Sequence, residues 1–110
     1  MNIADPLDMS RLEASAAKAA GLLRAMSNER RLMILCRLGE GEVQVAALQD
    51  AVGLSQSALS QHLAVLRDEG LIAARREGQA VFYRIADPAA LRVIATLADI
   101  FCPPHLKGSK

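Results

Sequence analysis

Between Gly53 and Gly70 the chain reads GLSQSALSQHLAVLRDEG, a string that one amphipathic helix satisfies. Leu59, Leu63 and Leu66 recur at intervals of four and three, which places them on one side of an α-helix. The opposite side then carries Ser57, Gln61, Ala64 and Asp68, with Ser60 at the margin. Ser55 stands where an N-cap hydroxyl accepts from the first unpaired amides, and Gly70 where a left-handed residue ends the helix. Upstream, a shorter helix is read from Val45 to Ala51, stopped at Gly53, so that only Val52 to Ser55 separates the two. Two short helices joined by a glycine-containing turn of this length form a helix-turn-helix.

The flanking segments complete the architecture. Ser10 and Glu13 have the spacing of a capping box, which predicts a first helix from Ser10 with Leu12, Ala16, Ala19, Leu23 and Met26 at helical intervals. Asn28 is the expected cap of a second helix, with Leu32, Leu35 and Cys36 on one side, Arg30, Ile34 and Arg37 on the other, and Gly39 and Gly41 ending it. After Gly70 the pattern alternates: Val81, Tyr83 and Ile85 against Phe82 and Arg84, with Glu77, Gly78 and Gln79 as the turn of a hairpin. Asp87 and Pro88 then supply an N-cap and a first-turn proline for a last helix that reaches Cys102 before Pro103 and Pro104. The expected fold class is mainly α, a winged helix-turn-helix of five helices and a two-stranded β-wing. A single domain is expected over residues 1–110, with residues 1–9 and 103–110 flexible.

The last helix carries two apolar stripes, one of Leu91, Ile94, Ala95, Ala98 and Cys102 and one of Val93, Leu97 and Ile100; Arg92, Thr96 and Asp99 define its polar face. One core cannot cover so much apolar circumference, so a second copy is expected to pack its first and last helices here, giving a homodimer.

Formal net charge is +1, so attraction for nucleic acid has to come from local clusters rather than from an overall basic field. Two clusters are present: Arg24, Arg30, Arg31 and Arg37 against Glu29, and then Arg75, Arg76 and Arg84 in the hairpin. The opening MNIADPLDM has neither a basic leader nor a long apolar run, and no stretch approaches the roughly 20 apolar residues that span a bilayer. The cytoplasm is the expected location, with no membrane partner. In that reducing compartment the chain's 2 cysteines are expected to be free thiols, and a disulfide between them would be a switch before it was a staple.

Neutral hydroxyls and amides at the front of a helix donate to and accept from base edges, glutamine pairs with adenine, and an alanine methyl fits a thymine methyl. The candidate DNA-contacting residues are therefore Ser55, Gln56, Ser57, Ser60 and Gln61 on the helix, together with Arg67 and the wing residues Arg75, Arg76, Gln79 and Arg84, which would hold the backbone or the minor groove. The expected partner is double-stranded operator DNA. His62 lies on the flank of this helix, where packing and a local hydrogen bond are its expected role. No C-x-x-C pair and no nucleophile with an orienting acid and base occur, so an enzyme is not expected, and no cofactor is.

The run LLRAMSNERRLMILCRL, the helix LSQSALSQHLAVLRDEGLI and the wing REGQAVFYRI together resemble the ArsR/SmtB family of winged-helix transcriptional repressors, from about Leu22 to Cys102. The resemblance implies a homodimer that binds an imperfect palindrome and leaves it when an inducer binds. Metal-sensing members place cysteines before the reading helix or acids and histidines in the last helix. Here the first segment reads EVQVAAL, with Gln44 and Ala46 where thiolates would stand, and the last helix has no histidine before His105, so no metal site is expected. A metal-responsive repressor using Asp99, Cys102, His105 and Cys36 remains the nearest alternative.

Cys36 and Cys102 resemble instead the thiol pair of the family's branch that responds to reactive sulfur species and related oxidants. Both are read as lying on apolar helix faces, where cysteine is commonly a small core residue, while Arg37 beside Cys36 would favour a thiolate. The resemblance implies a repressor whose operator binding is switched when the pair closes into a disulfide or polysulfide bridge. An anti-silencing activator of virulence genes is the other outcome known in that branch.

Overall fold

The computed structural model describes residues 9–102. In chain order it contains α1 (Met9–Met26), α2 (Glu29–Leu38), β1 (Val43–Gln44), α3 (Val45–Val52), α4 (Gln56–Asp68), β2 (Ile72–Glu77), β3 (Ala80–Ile85) and α5 (Pro88–Phe101). The expected flexibility of residues 1–8 and 103–110 lies outside the described residues, and Met9 is already helical.

Local chemistry sets most boundaries. The Asn28 side chain accepts from the amides of Arg30 at 2.9 Å and Arg31 at 3.1 Å, satisfying two donors that open α2. Asp87 accepts from Ala89 at 2.9 Å and, with Pro88 behind it, starts α5. Ser10 does not cap α1, because the helix begins at Met9 and carries Ser10 inside its first turn. Gly53 (φ 67°) and Gly70 (φ 79°) adopt the left-handed conformation that ends one helix and turns the chain out of the next.

β2 and β3 pair antiparallel from Ile72↔Ile85 to Glu77↔Ala80, leaving Gly78 and Gln79 as a two-residue loop. Glycine with φ 64° at the first loop position suits the twist of the hairpin. The sheet has a third strand that the sequence pattern does not reveal: β1 pairs with β3 through Val43↔Tyr83 and Gln44↔Phe82, giving the order β1-β3-β2. Two residues are too few for an alternation to show.

The core lies where α2, α3, α4 and the root of the wing meet, and Ile34, Leu35, Leu48, Leu66 and Leu71 are its largest fully buried side chains. The face that α2 turns inward is Ile34, Leu35 and Leu38, with Leu32 half-buried. The expectation that Ile34 lies outward and Cys36 inward is therefore corrected: Ile34 is 0% exposed and Cys36 is exposed. In so short a helix two apolar stripes about one residue apart fit the spacing equally, and packing against α3 and α4 selects the one containing Ile34.

α5 buries only Ala90 and Ile94 in this core, while Leu91, Ile100 and Phe101 remain exposed, as do Met9, Leu12 and Leu23 of α1. Among the described residues no helix is long and apolar enough to cross a membrane.

Leu66, fully buried at the centre, is the residue whose truncation tests the packing. Leu66→Ala is expected to lower unfolding free energy by about 2–5 kcal/mol in urea denaturation at fixed protein concentration. A loss near zero would mean that α4 is not seated on this core.

Candidate nucleic-acid interface and thiol pair

The turn between α3 and α4 is held at three points. The Gln49 side-chain amide donates to the Leu54 carbonyl at 3.2 Å, Arg30 reaches the Val52 carbonyl at 3.4 Å, and the Ser55 hydroxyl accepts from the Ala58 amide at 3.1 Å. With Leu59, Leu63 and Leu66 turned into the core, Ser55, Gln56, Ser57, Ser60 and Gln61 all lie exposed on the outer face of the N-terminal half of α4. Among the described residues the side chains of Gln56, Ser57, Ser60 and Gln61 make no hydrogen bond, so their donors and acceptors are open to a ligand. The helix N-terminus adds unpaired amides and a positive dipole end beside them.

The structure separates the wing arginines, which a linear reading groups together. In an antiparallel ladder directly paired residues share a face. Arg76 pairs with Val81 and shares the face of Tyr83, which is buried toward α4; Arg75 pairs with Phe82 and Arg84 with Ala73 on the other face. Arg76 thereby borders a cleft of about 240 Å³ between α4 and the wing, whose lining includes Gln56, Ser60, Arg67 and Tyr83. Gln79 is exposed at the wing tip.

Arg75 is engaged within the protein. Its Nε and Nη2 donate to the two Glu42 carboxylate oxygens at 2.8 Å each, its Nη1 donates to Glu77 at 2.9 Å, and its guanidinium lies 4.5 Å from the centroid of the Phe82 ring. The Arg75 hydrogen bond, helped by the charges of Arg75 and Arg84, holds the Glu42 carboxyl below the usual glutamate range against a small loss of hydration. Arg67 is turned onto the wing: its Nη1 donates to the Tyr83 hydroxyl at 2.8 Å, with the guanidinium 5.9 Å from the ring centroid.

The earlier basic cluster is also largely internal. Arg31 donates to the Ala25 carbonyl and, at 3.4 Å, to that of Arg24, closing the C-terminus of α1, and its Nη1 lies 3.4 Å from His62 Nδ1. His62 is half-buried there, in a local contact. The expectation that this cluster supplies phosphate affinity is revised for Arg30 and Arg31, whose guanidinium groups face backbone carbonyls.

Cys36 and Cys102 are both free and exposed, Cys36 on the outer side of α2 and Cys102 as the C-cap of α5. The inward placement of Cys36 is corrected by this exposure. Cys36 is exposed as a residue, yet its sulfur is covered enough to lose hydration. That loss raises its thiol above the ordinary value, and Cys102 and then Glu40 push it further. Arg37, expected to favour a thiolate if its guanidinium approached the sulfur, does not figure in this balance, which favours the Cys36 thiol. Among the described residues no group of three histidine, cysteine or acidic side chains gathers at metal-ligand spacing, and His105 of the alternative metal set lies outside them.

A helix-turn-helix with an exposed polar reading helix and a paired hairpin beside it defines a winged-helix DNA-binding protein. Residues 28–74 match the family described as bacterial regulatory protein, arsR family. The transcriptional activator HlyU of Vibrio cholerae is 46% identical over 97 residues, spanning 88% of this chain and 90% of that protein. The biofilm growth-associated repressor of Agrobacterium fabrum is 39% identical over 105 residues, covering 91% and 90%. Reduced HlyU from Vibrio cholerae superposes with a TM-score of 0.81 at 47% identity, covering 84% of this chain and 98% of that one. A homodimeric winged helix-turn-helix DNA-binding domain from Mycobacterium bovis gives a TM-score of 0.73 at 37% identity, over 82% and 83%. The chain belongs to the arsR family of bacterial regulatory proteins and is a DNA-binding transcriptional regulator of that type.

The Glu42 and Arg75 pair has a defined pH signature. Because the folded carboxyl is depressed, the pair's contribution is present above the ordinary glutamate pKa and lost as pH falls through the depressed value. A carboxyl carbon NMR titration is expected to place Glu42 below the ordinary glutamate midpoint and Arg75→Ala to return it there. Identical midpoints in both proteins would show that the clasp does not form in solution.

Proposed function

We propose that this regulator binds its operator as a homodimer, with Ser57, Ser60 and Gln61 of each α4 at base edges in the major groove. Ser55 and Gln56 meet the backbone at the helix N-terminus, and Arg76, Gln79 and Arg84 of the wing hold phosphates or the minor groove beside it. The observation that carries the reading is the open serine and glutamine face of α4 with Arg76 across the cleft from it. Arg67 and Arg75, engaged with Tyr83 and with Glu42 and Glu77, support this surface from within the protein. The exposed apolar side chains of α1 and α5, Leu12, Leu23, Leu91, Ile100 and Phe101, support the dimer, as does the homodimeric state of the related Mycobacterium bovis domain.

Cys36 and Cys102 are proposed as the dithiol through which reactive sulfur species or oxidants release the DNA. A persulfide, RSSH, passes its outer sulfur to one protein thiolate, giving a protein persulfide and RS⁻. The second thiolate attacks the protein-bound sulfur of that adduct, forming the disulfide and expelling HS⁻. Two thiols are oxidised by two electrons, and the sulfane sulfur is reduced to sulfide; retention of additional sulfane sulfur gives the polysulfide bridge instead. Burial of its sulfur, then Cys102 and Glu40, push the Cys36 thiol up, which disfavours its thiolate.

Bridging ties α2 to the end of α5, beside the proposed subunit seam, and shifts the two reading helices relative to each other. A hundredfold release requires only about 2.7 kcal/mol at about 1.4 kcal/mol per decade. A covalent cross-link typically contributes about 2–4 kcal/mol, so unfolding is not needed. Operator occupancy serves either sign of regulation, by blocking polymerase or by displacing a silencer.

Cys36→Ser and Cys102→Ser are each expected to bind DNA when reduced and to stay bound after glutathione persulfide, as read by gel shift alongside mass spectrometry of the bridge. Normal release of either variant would refute the two-thiol scheme. On an operator selected from a random duplex pool, Gln61→Ala is expected to lose about 1–3 kcal/mol of preference over scrambled DNA. Arg76→Ala should weaken both duplexes alike and lower the salt slope by about one. Equal losses of preference in the two variants would contradict this division of roles.

A further inference from the structure

We infer that Arg67 and Tyr83 form a positioning clasp that sets the opening between the reading helix and the wing, and so places Arg76 for a DNA phosphate; the inference rests on the DNA-binding reading above. α4 and β2 are joined through Glu69, Gly70 and Leu71, so helix and hairpin diverge from one corner. Arg67 sits in the last turn of α4, close to that corner, and its Nη1 donates to the Tyr83 hydroxyl at 2.8 Å.

The two anchors differ in burial, Arg67 being exposed and Tyr83 buried. Tyr83 is 6% exposed and lies in β3, the middle strand, paired with Val43 on one side and Ala74 on the other. Its hydroxyl is a polar atom on a buried ring and needs a partner, which Arg67 supplies. The clasp therefore fastens the helix to a buried residue of the middle strand, held by pairing on both sides.

Both groups that act on DNA lie farther from the corner than the clasp. Arg76 is two residues beyond Ala74 along β2, about 7 Å toward the tip at strand rise. Gln56 is eleven residues from Arg67, about 16 Å along α4. A small change of angle at the clasp is thus enlarged at the mouth of the cleft, where Gln56, Ser60 and Arg76 face one another. Arg76 makes no ion pair among the described residues, whereas Arg75 on the other sheet face is paired with Glu42 and Glu77. Arg76 is therefore the wing cation on the cleft side whose charge is open to phosphate, and its reach depends on the clasp.

Tyr83→Phe removes the hydroxyl and keeps the ring. On a mixed-sequence 30-base-pair duplex titrated at several salt concentrations, Tyr83→Phe is expected to weaken binding about tenfold and lower the salt slope by about one. Arg76→Ala should do the same, and the double variant should be no weaker than Arg76→Ala alone. In DNA-free protein, amide order parameters at Gly78 and Gln79 should fall in Tyr83→Phe, a change that does not depend on DNA. Arg67→Met, which keeps the aliphatic stem, should repeat every result and stands in if Tyr83→Phe does not fold. Wild-type salt slope in the clasp variants, or losses that add to that of Arg76→Ala, would overturn the inference while leaving the DNA-binding reading intact. Wild-type protein with no affinity for the duplex would sink that reading and the inference together.

Discussion

Burial of Leu59, Leu63 and Leu66 in one cluster with Ile34, Leu35 and Leu48 fixes everything that α4 presents to solvent. Each such side chain contributes about 1.5–3 kcal/mol on leaving water, so three of them outweigh any preference of the polar face. Turning the helix by one residue would expose leucine and bury glutamine or serine without partners. The reading surface is in this sense the remainder of a packing solution: Gln56, Ser57, Ser60 and Gln61 point outward because the leucines cannot. The turn at Gly53 and the cap at Ser55 then place the start of the helix, where unpaired amides meet that surface.

Charge is distributed with the same economy. The chain carries formal net charge +1, and several of its arginines are engaged inside the fold. Arg31 closes the end of α1, Arg30 reaches the turn of the helix-turn-helix, Arg67 fastens helix to wing, and Arg75 joins the wing to Glu42 just after α2. On the proposed reading, attraction for a polyanion falls to a few open groups beside the helix N-terminus, which suits recognition of one site rather than coating of any duplex. The Glu42 clasp also joins the segment that follows α2 to the outer wing face.

The sequence was legible where one physical rule acts alone. The span of α4, its caps and the start of α5 at Asp87 are local and follow from the sequence, as does the hairpin turn at Gly78, although Glu77, expected in that turn, is the last residue of β2. It was not legible where two rules compete or where pairing is needed. α2 offers two apolar stripes, and tertiary packing rather than spacing puts Ile34 inside and Cys36 outside. β1 is too short to have a period, and the helix start at Ser10 was misjudged because a capping-box spacing also occurs inside a helix. Arg75 and Arg76 look equivalent until the ladder register sends them to opposite faces. The Cys36 thiol is pushed up mainly by burial of its sulfur, with Cys102 and Glu40 behind it, and burial is set by tertiary packing that spacing does not show.

Amide chemical-shift mapping of the reduced, isotope-labelled protein with duplex DNA bears most directly on the claim that leucine burial orients a DNA-reading face. The account predicts that the largest shifts fall at residues 55–61 and around Arg76, with the outward faces of α1 and α5 little changed. Shifts centred on α1 and α5, with α4 silent, would contradict it.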